Sequence, residues 1–271
     1  MTKLSLTTAW NETVAFVKRE ARLLLPIALL LNALPMAVAT ASVPELRQGG
    51  TAQGGLWLLL VPLAAFVGTI GHVAISYLAL RPGRTVGEAL ARGLKRFLPI
   101  LGLYLLVGLA LGIAMTLILV LVTLLFGVDT SAPRPEQLAG VAVLGIALVL
   151  PLMLFAATRL MFVTTVAAVE EGGPIAILRR TWALTGPVFW TLLGFLILSG
   201  ILALVINIVA QTILGIPILI VSGPPRPGSL SGVVVLLLGA LVSTVVTVFL
   251  TTMTARIYAQ LAPREASGVF D

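Results

Sequence analysis

The sequence contains no cysteine and a single histidine, His72, among its 271 residues. The absence of cysteine excludes disulfide bonds, thiol nucleophiles and thiolate metal sites. One histidine is too few for a multi-histidine metal centre, and the HExxH, GxSxG and Walker motifs do not occur. We therefore predict no enzymatic activity, no catalytic residue, no metal and no cofactor.

Charge is also scarce, because only 10% of the residues are charged whereas 59% are hydrophobic. A soluble domain carries about 25% charged residues. So much apolar surface cannot be hidden from water, and the surrounding solvent must be lipid. The sequence predicts one all-α polytopic membrane domain over 1–271 with six transmembrane helices. The apolar runs cover residues 23–43, 56–80, 98–126, 139–168, 187–214 and 230–258.

The fifth apolar region continues beyond its predicted span, from Pro187 to Val221. We expect Gly215 and Pro217 to end the helix, because proline cannot continue one without losing a hydrogen bond. Residues 215–221 would then form an interfacial or re-entrant segment.

The basic residues are distributed unevenly between the polar breaks. Three short Gly/Pro-rich breaks hold only Arg47, Arg134 and Arg226, and the other polar regions hold the remaining 14 of 17 basic residues. Because positive residues favour the cytoplasmic side, this pattern predicts that both termini are cytoplasmic. We attribute the net charge of +7 to anionic lipid partners rather than to nucleic acid, since the charges are scattered between apolar runs.

Three basic segments that lead to a proline precede the first, third and fifth spans. They cover residues 5–22, 86–97 and 175–185. Each has an arginine seven residues before its proline, and the pairs are Arg19 and Pro26, Arg92 and Pro99, and Arg180 and Pro187. We expect three amphipathic elbow helices in the membrane interface, with the chain turning into the membrane at each proline. The order elbow, span, span suggests a threefold internal repeat over 1–80, 81–169 and 170–261, although a polytopic protein without a repeat could carry the same elements.

The first two elbows show clear helical periodicity. One apolar stripe is Leu6, Trp10, Val14, Val17, Ala21 and Leu24, and the other is Val86, Leu90, Leu94 and Phe97. Thr85 and Glu88 have capping-box spacing, which predicts where the second elbow begins. The third elbow has a shorter stripe and a poorer pattern.

The stretch 170–190 carries a family resemblance. It contains Glu171 and Gly172, the run AILRRTWALT at 176–185, and the aromatic pair Phe189 and Trp190. It resembles the membrane domain of the glycerophosphoryl diester phosphodiesterase membrane-domain family and related uncharacterised bacterial inner-membrane proteins. The resemblance implies a location in the bacterial inner membrane. It implies the membrane module alone, because a phosphodiesterase barrel would need about 250 further residues.

These features favour a non-enzymatic membrane module that binds lipid or organises an envelope partner. The alternative is a small transporter or channel for a lipid-like or amphipathic molecule, which would need a continuous polar cavity. A protein partner or a homo-oligomer is compatible with either.

The candidate site residues lie mainly in the elbows, where they could bind lipid head groups or only shape the chain. They are Glu171, Arg179, Arg180, Trp182, Trp190, Arg92 and Arg19. We expect Gly172, Gly173 and Pro174 to turn the chain, since glycine accepts positive φ. The two arginines at 179 and 180 would face phosphates or pair with Glu170 and Glu171.

Arg159 and His72 are the candidate polar residues within the spans. Arg159 lies about 30 Å along the fourth span, where it could snorkel to the interface or face protein or ligand. His72 shares a helix face with Ser76. Because no acid lies inside a span to accept a proton, an interhelical hydrogen bond is favoured over a proton relay.

Overall fold

A computed structural model describes residues 4–41, 59–127, 135–222 and 230–262. All regular structure in these residues is helical, and they contain no strand. The elements are α1 (Leu6–Ala28), a π-helix (Leu29–Ala33), α2 (Leu34–Ala41), α3 (Leu60–Leu80), α4 (Val86–Leu125), α5 (Pro135–Leu160), α6 (Val163–Val169), α7 (Pro174–Thr185), α8 (Phe189–Ser222) and α9 (Leu230–Leu261).

Six helical stretches of the described chain are long and apolar enough to cross a membrane. They are Leu6–Ala39, Leu60–Leu80, Val86–Leu125, Gln137–Val169, Phe189–Ile218 and Ser231–Leu261. Each overlaps one predicted span, and the chain is therefore a multi-pass membrane protein. The 40 residues of α4 measure about 60 Å as a helix, twice the thickness of the hydrocarbon core. Part of α4 must therefore be tilted or lie outside the hydrocarbon core.

α3 forms the centre of the bundle and packs against α1, α4, α6 and α9. Glycines permit the close approach of its neighbours. A Cβ at Gly71 would lie 3.1 Å from the Cβ of Leu31 in the π-helix, and a Cβ at Gly93 of α4 would lie 2.8 Å from the Ile70 carbonyl oxygen. Any larger residue at Gly93 would push α4 away from α3.

Buried side chains are concentrated at one end of the bundle. On α4 they are Ala89, Gly93, Arg96, Ile100 and Leu103, followed only by Val122. On α8 no described side chain after Phe195 is buried, and on α5 none is buried between residues 137 and 157. The opposite halves of these helices expose apolar side chains, as lipid-facing helices do. The fold thus has a packed end and a splayed end.

The packed end also brings the two ends of the described chain together. The Ser5 N–H donates to Gln260 Oε1 (2.9 Å), and Gln260 Nε2 donates to the Ser5 carbonyl (3.1 Å). The start of α1 and the end of α9 therefore meet at the packed end. The α3–α4 turn, residues 81–85, lies against α1 at the same end.

Two of the three turns predicted at prolines are absent. Pro26 lies inside α1 and Pro99 lies inside α4, so the first two elbow segments continue directly into the following helices. The π-helix begins three residues after Pro26, at Leu29. Only the third elbow segment is a helix of its own, α7. α4 begins at the predicted capping box of Thr85 and Glu88.

One predicted helix boundary is also wrong. Pro217 lies inside α8, which runs to Ser222, so residues 215–221 are neither a break nor a re-entrant segment. In a bilayer the helix is the backbone conformation that keeps most peptide groups hydrogen-bonded, and this outweighs one proline. Conversely, the fourth span is interrupted at Met161 and Phe162, which separate α5 from α6.

The predicted apolar stripes are not the faces that the protein buries most deeply. α1 buries Ala9, Thr13 and Phe16, whereas Trp10 is 43% exposed. α4 buries Gly93 and its neighbours, whereas Leu94 is 65% exposed. Small side chains allow close packing between helices, and of the residues in the two predicted stripes only Leu24 is buried.

Candidate functional site

Two arginines on α4 hold the linker between α6 and α7. Arg92 and Arg96 are four residues apart and share one helix face. Arg92 Nε donates to the Ala168 carbonyl (2.8 Å), and its Nη1 pairs with Glu171 Oε1 (2.5 Å). Arg96 Nη2 pairs with Glu171 Oε2 (2.5 Å), and Nη1 donates to the Gly172 carbonyl (3.1 Å). We call Arg92, Arg96 and the linker residues 170–172 the arginine clamp.

The arginine clamp satisfies its charges internally. Arg96 is only 5% exposed, and its Nη2 also donates to the Glu170 carbonyl (2.7 Å). The hydrogen bond from Arg92 lowers the pKa of the Glu171 carboxyl, and the positive charges of Arg92 and Arg96 act in the same direction. Glu171 is therefore ionised at neutral pH and bridges the two guanidinium groups.

The Glu170 side chain extends the clamp to two further helices. Its Oε1 accepts hydrogen bonds from Arg180 Nε of α7 (2.9 Å) and from the Tyr258 hydroxyl of α9 (2.6 Å). One short linker therefore connects α4, α7 and α9. Since the charges are paired within the protein, this arrangement is suited to holding helices together.

The linker turns the chain without the backbone conformation predicted for its glycines. Gly173 is extended, with φ −83° and ψ 180°, and Pro174 starts α7. Among the described residues only Gly83 and Gly127 have positive φ. An extended linker followed by a proline in the first helical turn is sufficient to change direction.

The neighbouring arginines of α7 have different environments. Arg180 pairs with Glu170, as one of the predicted alternatives requires, whereas Glu171 pairs with α4 instead of α7. Arg179 is exposed and has no hydrogen bond or ion pair with the described residues. Arg19 lies apart from this network, where it pairs with the adjacent Glu20 (2.9 Å) and stacks over Phe16. The three arginines at repeated positions are therefore not equivalent.

Arg159, at the end of α5, lies in a different environment. Its guanidinium carbon lies 4.8 Å from the ring centroid of Trp182, 5.1 Å from that of Phe189 and 5.4 Å from that of Phe155. Nη1 donates to the Trp182 carbonyl (3.3 Å) and to Thr185 Oγ1 (3.4 Å). We call Arg159 with these three rings the aromatic cage. The carbonyl belongs to the C-terminal turn of α7, where the helix dipole favours a positive charge.

Of the tryptophans named in the prediction, Trp182 belongs to the aromatic cage and Trp190 lies beside it. Trp182 is 46% exposed and Trp190 is 80% exposed. The Trp190 ring packs edge-on against Phe189, with centroids 5.4 Å apart. Exposed tryptophans are typical of the bilayer interface.

His72 is hydrogen-bonded between three elements of the bundle. Asn32 Nδ2, in the π-helix, lies 2.8 Å from His72 Nε2, and His72 Nδ1 lies 2.9 Å from Thr251 Oγ1 of α9. With the Asn32 amide donating, Nε2 is the acceptor and Nδ1 carries the proton. This is the interhelical bonding that the sequence favours over a proton relay.

A long apolar groove runs between α8 and α9 and reaches α1. Two cavities of about 440 Å³ each adjoin there and share Trp10, Ser199, Leu202, Phe249 and Leu250. Trp190 and Gly194 line the groove at the packed end, and Ala210 lines it near the opposite end. From Trp190 to Ala210 the helix rises about 30 Å, which is the thickness of the hydrocarbon core.

Sequence reasoning did not single out several of the residues that form these sites. Arg96, Tyr258 and Phe155 are the main ones. The spacing of Arg92 and Arg96 was a usable signal, because positions four apart share a helix face. Tyr258 is 88 residues from its partner Glu170, and nothing in the local pattern indicates that contact. The described residues contain no cluster of three or more potential metal-ligating His, Cys, Asp or Glu side chains.

The fold and these sites define a multi-pass helical membrane protein. The chain matches a domain of unknown function, DUF7847, over residues 4–261, and it belongs to this family. Neither a curated protein nor a solved structure matches the chain. The link to the glycerophosphoryl diester phosphodiesterase membrane domain stays a prediction, whereas membership of an uncharacterised family agrees with the comparison.

Proposed function

We propose that this protein is a non-enzymatic membrane module that binds membrane lipid, with an acyl chain in the groove between α8 and α9. The observation that carries the proposal is the apolar lining of this groove along candidate membrane spans. A groove open to a bilayer is filled by lipid chains, because water cannot solvate it favourably. Its length of about 30 Å exceeds what one leaflet's acyl chain requires.

Tryptophan and basic side chains, which suit the membrane interface, lie at the packed end. Trp10 and Trp190 line the groove there, and Trp182 lies exposed beside it on α7. Basic side chains of α1, α4 and α7 are found at the same end. We propose that this end faces the cytoplasm of a bacterial inner membrane, that both termini lie on that side, and that segments 5–22, 86–97 and 175–185 lie near its interface. The threefold repeat belongs to this proposal as well.

Transport of a lipid-like molecule is the alternative and would require a polar path between the spans. The groove between α8 and α9 and the cavity between α4 and α5 are lined mainly by apolar side chains. Among the described residues, both ring nitrogens of His72 are hydrogen-bonded, one to Asn32 and the other to Thr251, inside the bundle. These features favour holding a lipid over moving one, and organising an envelope partner is compatible with lipid binding.

The test uses two glycines of α8 that point in different directions. A Cβ at Gly194 or at Gly200 would meet no heavy atom within 4 Å, so both sites accept a side chain. Gly194 lines the groove whereas Gly200 does not. We expect Gly194→Phe to displace about two methylene groups of the lipid, a cost of about 1.6 kcal/mol or a roughly fifteenfold loss of affinity.

Gly200→Phe is the matched control and should keep the affinity of the wild type. Native mass spectrometry of purified protein, titrated with phosphatidylglycerol in detergent, measures both variants. Equal binding by the two variants, or a wild type that binds no phospholipid, would show that the groove is not a lipid site.

A further inference from the structure

We infer that Arg159 binds the phosphate of a phospholipid head group at a second lipid site, an inference that rests on the proposed lipid binding and names the head-group chemistry that is recognised. The site is distinct from the apolar groove. Phe189, which stacks on Arg159, lies on one face of α8, and the groove residues Trp190, Thr191 and Gly194 lie on the other side of that helix.

Arg159 has hydrogen-bond donors that no described residue uses. A guanidinium carries five N–H donors. The described residues use only Nη1, through two long hydrogen bonds of 3.3 and 3.4 Å. Nε is buried without a partner, and Nη2 has none among the described residues and remains accessible. A charged group with open donors requires an acceptor from outside the chain.

No carboxylate among the described residues neutralises Arg159. The two nearest acids along the chain are Glu170 and Glu171, and both are bonded within the arginine clamp. The three ring centroids of the aromatic cage lie within 5.4 Å of the guanidinium carbon, and cation–π contacts do not use the N–H donors. The open ligand position is therefore at Nη2.

The position of Arg159 along α5 also points to the membrane interface. Arg159 is the second-last residue of α5, whose 26 residues rise about 39 Å and so reach past the hydrocarbon core. Trp182 and Trp190 lie beside it and are exposed, as interfacial tryptophans are. The layer outside the hydrocarbon core contains lipid phosphates. Arginine and phosphate form charge-assisted hydrogen bonds that are stronger than neutral ones. The exposed Arg179 is one turn before Trp182 on α7 and adds positive charge to this region.

The first experiment removes the guanidinium. Arg159→Gln should bind phosphatidylglycerol about tenfold more weakly than the wild type, the loss expected for a charge-assisted hydrogen bond. Arg84→Gln is the matched control, because Arg84 is also a basic residue but is paired with the acid Glu88. It should bind as the wild type does. Equal losses in both variants would indicate bulk charge and overturn the site.

The second experiment supplies an internal carboxylate and does not depend on removing a packed side chain. A Cβ at Gly186 would lie 3.6 Å from Arg159 Nη1, with ordinary contacts to its other neighbours. Gly186 has φ −54° and ψ −58°, in the right-handed helical region, and the strain of a side chain before Pro187 is shared by the aspartate and asparagine variants. Gly186→Asp should occupy the guanidinium and weaken phosphatidylglycerol binding about tenfold, whereas Gly186→Asn should keep it nearly unchanged. An aspartate variant that binds as tightly as the asparagine variant would overturn the inference.

The choice of probe separates the sources of the phosphate. Diacylglycerol with the same chains should bind about tenfold more weakly than phosphatidylglycerol, and this difference should disappear in Arg159→Gln. Competition by inorganic phosphate at equal concentration would assign the site to free phosphate and overturn the lipid assignment. If Gly194→Phe loses binding while Arg159→Gln does not, the proposed function stands and this inference fails. If the wild type binds no phospholipid, both fail.

Discussion

The arginine clamp and the aromatic cage both place positive charge at the packed end, but they differ in how that charge is satisfied. In the arginine clamp, Arg92 and Arg96 meet a carboxylate and several carbonyls, with distances from 2.5 to 3.4 Å. In the aromatic cage, Arg159 meets three rings and two long acceptors.

The difference separates two uses of arginine in a membrane protein. The guanidinium groups of the arginine clamp use most of their donors on a carboxylate and carbonyls, although Arg96 Nε is buried without a partner, and they contribute to holding helices together. A guanidinium that is oriented by aromatic rings keeps its N–H edge open. Spacing and composition do not distinguish the arginines of the clamp from Arg159, because all three occur near the ends of apolar runs.

The largest effect is expected from Arg96→Ala, which breaks the arginine clamp. The variant leaves the Gly172 carbonyl without its donor and removes the shorter of the two hydrogen bonds to the Glu170 carbonyl, and we expect the free energy of unfolding to fall by about 2–3 kcal/mol. Because Glu171 is 69% exposed, its ion pair contributes only a small part of this loss. Unfolding of the purified protein in detergent, followed by circular dichroism, measures the change.

The control for this comparison is Arg84→Ala. Arg84 pairs with Glu88 at the surface, where both side chains are 46% exposed, so the loss should be at most about 0.5 kcal/mol. If Arg96→Ala is as stable as the control, the clamp does not hold the helices. If the folded Arg96→Ala protein loses phosphatidylglycerol binding, the division between the two arginine centres is wrong.

A smaller effect is expected from Tyr258→Phe, which removes one hydrogen bond to Glu170 and keeps the ring. Since Arg180 still pairs with Glu170, we expect the free energy of unfolding to fall by about 1 kcal/mol. Tyr104→Phe is the matched control, because Tyr104 has no hydrogen bond to the described residues and is 37% exposed. Identical unfolding of the two variants would exclude a stabilising role for the link between α9 and the linker.

The smallest effect is the pH dependence of the arginine clamp. The folded-state pKa of Glu171 lies below its ordinary value of 4.5, chiefly because of the hydrogen bond from Arg92. Because the carboxyl pKa is lowered in the folded state, the contribution of Glu171 to the free energy of unfolding is complete above the ordinary pKa. It is lost as the pH falls through the folded-state pKa. The wild type should therefore lose its advantage over Glu171→Gln below about pH 4.5. A stability difference that stays constant through that range would contradict this assignment.

The elbows illustrate what could be predicted and what could not. The basic segment at 86–97 was recognised with its capping box at Thr85 and Glu88, because capping depends on residues three positions apart. The continuation of the helix through Pro99 was not predicted, because whether a proline ends a helix depends on the packing around it. Arg92 was a candidate residue, but its partner is 79 residues away, and no local pattern specifies such a contact. Arg96 was overlooked for the same reason.

By itself the sequence determined the membrane character and the six spans. Both properties depend on many residues together. The apolar fraction indicates that the protein is surrounded by lipid, and the length of each apolar run determines whether it can cross the bilayer. The tertiary structure alone decided which faces are buried. Small residues such as Ala89 and Gly93 face inward, since close helix packing depends on the shape of the partner surface. It also decided that Arg96 is neutralised and Arg159 is not, because charge pairing depends on distances across the fold that chain position does not encode.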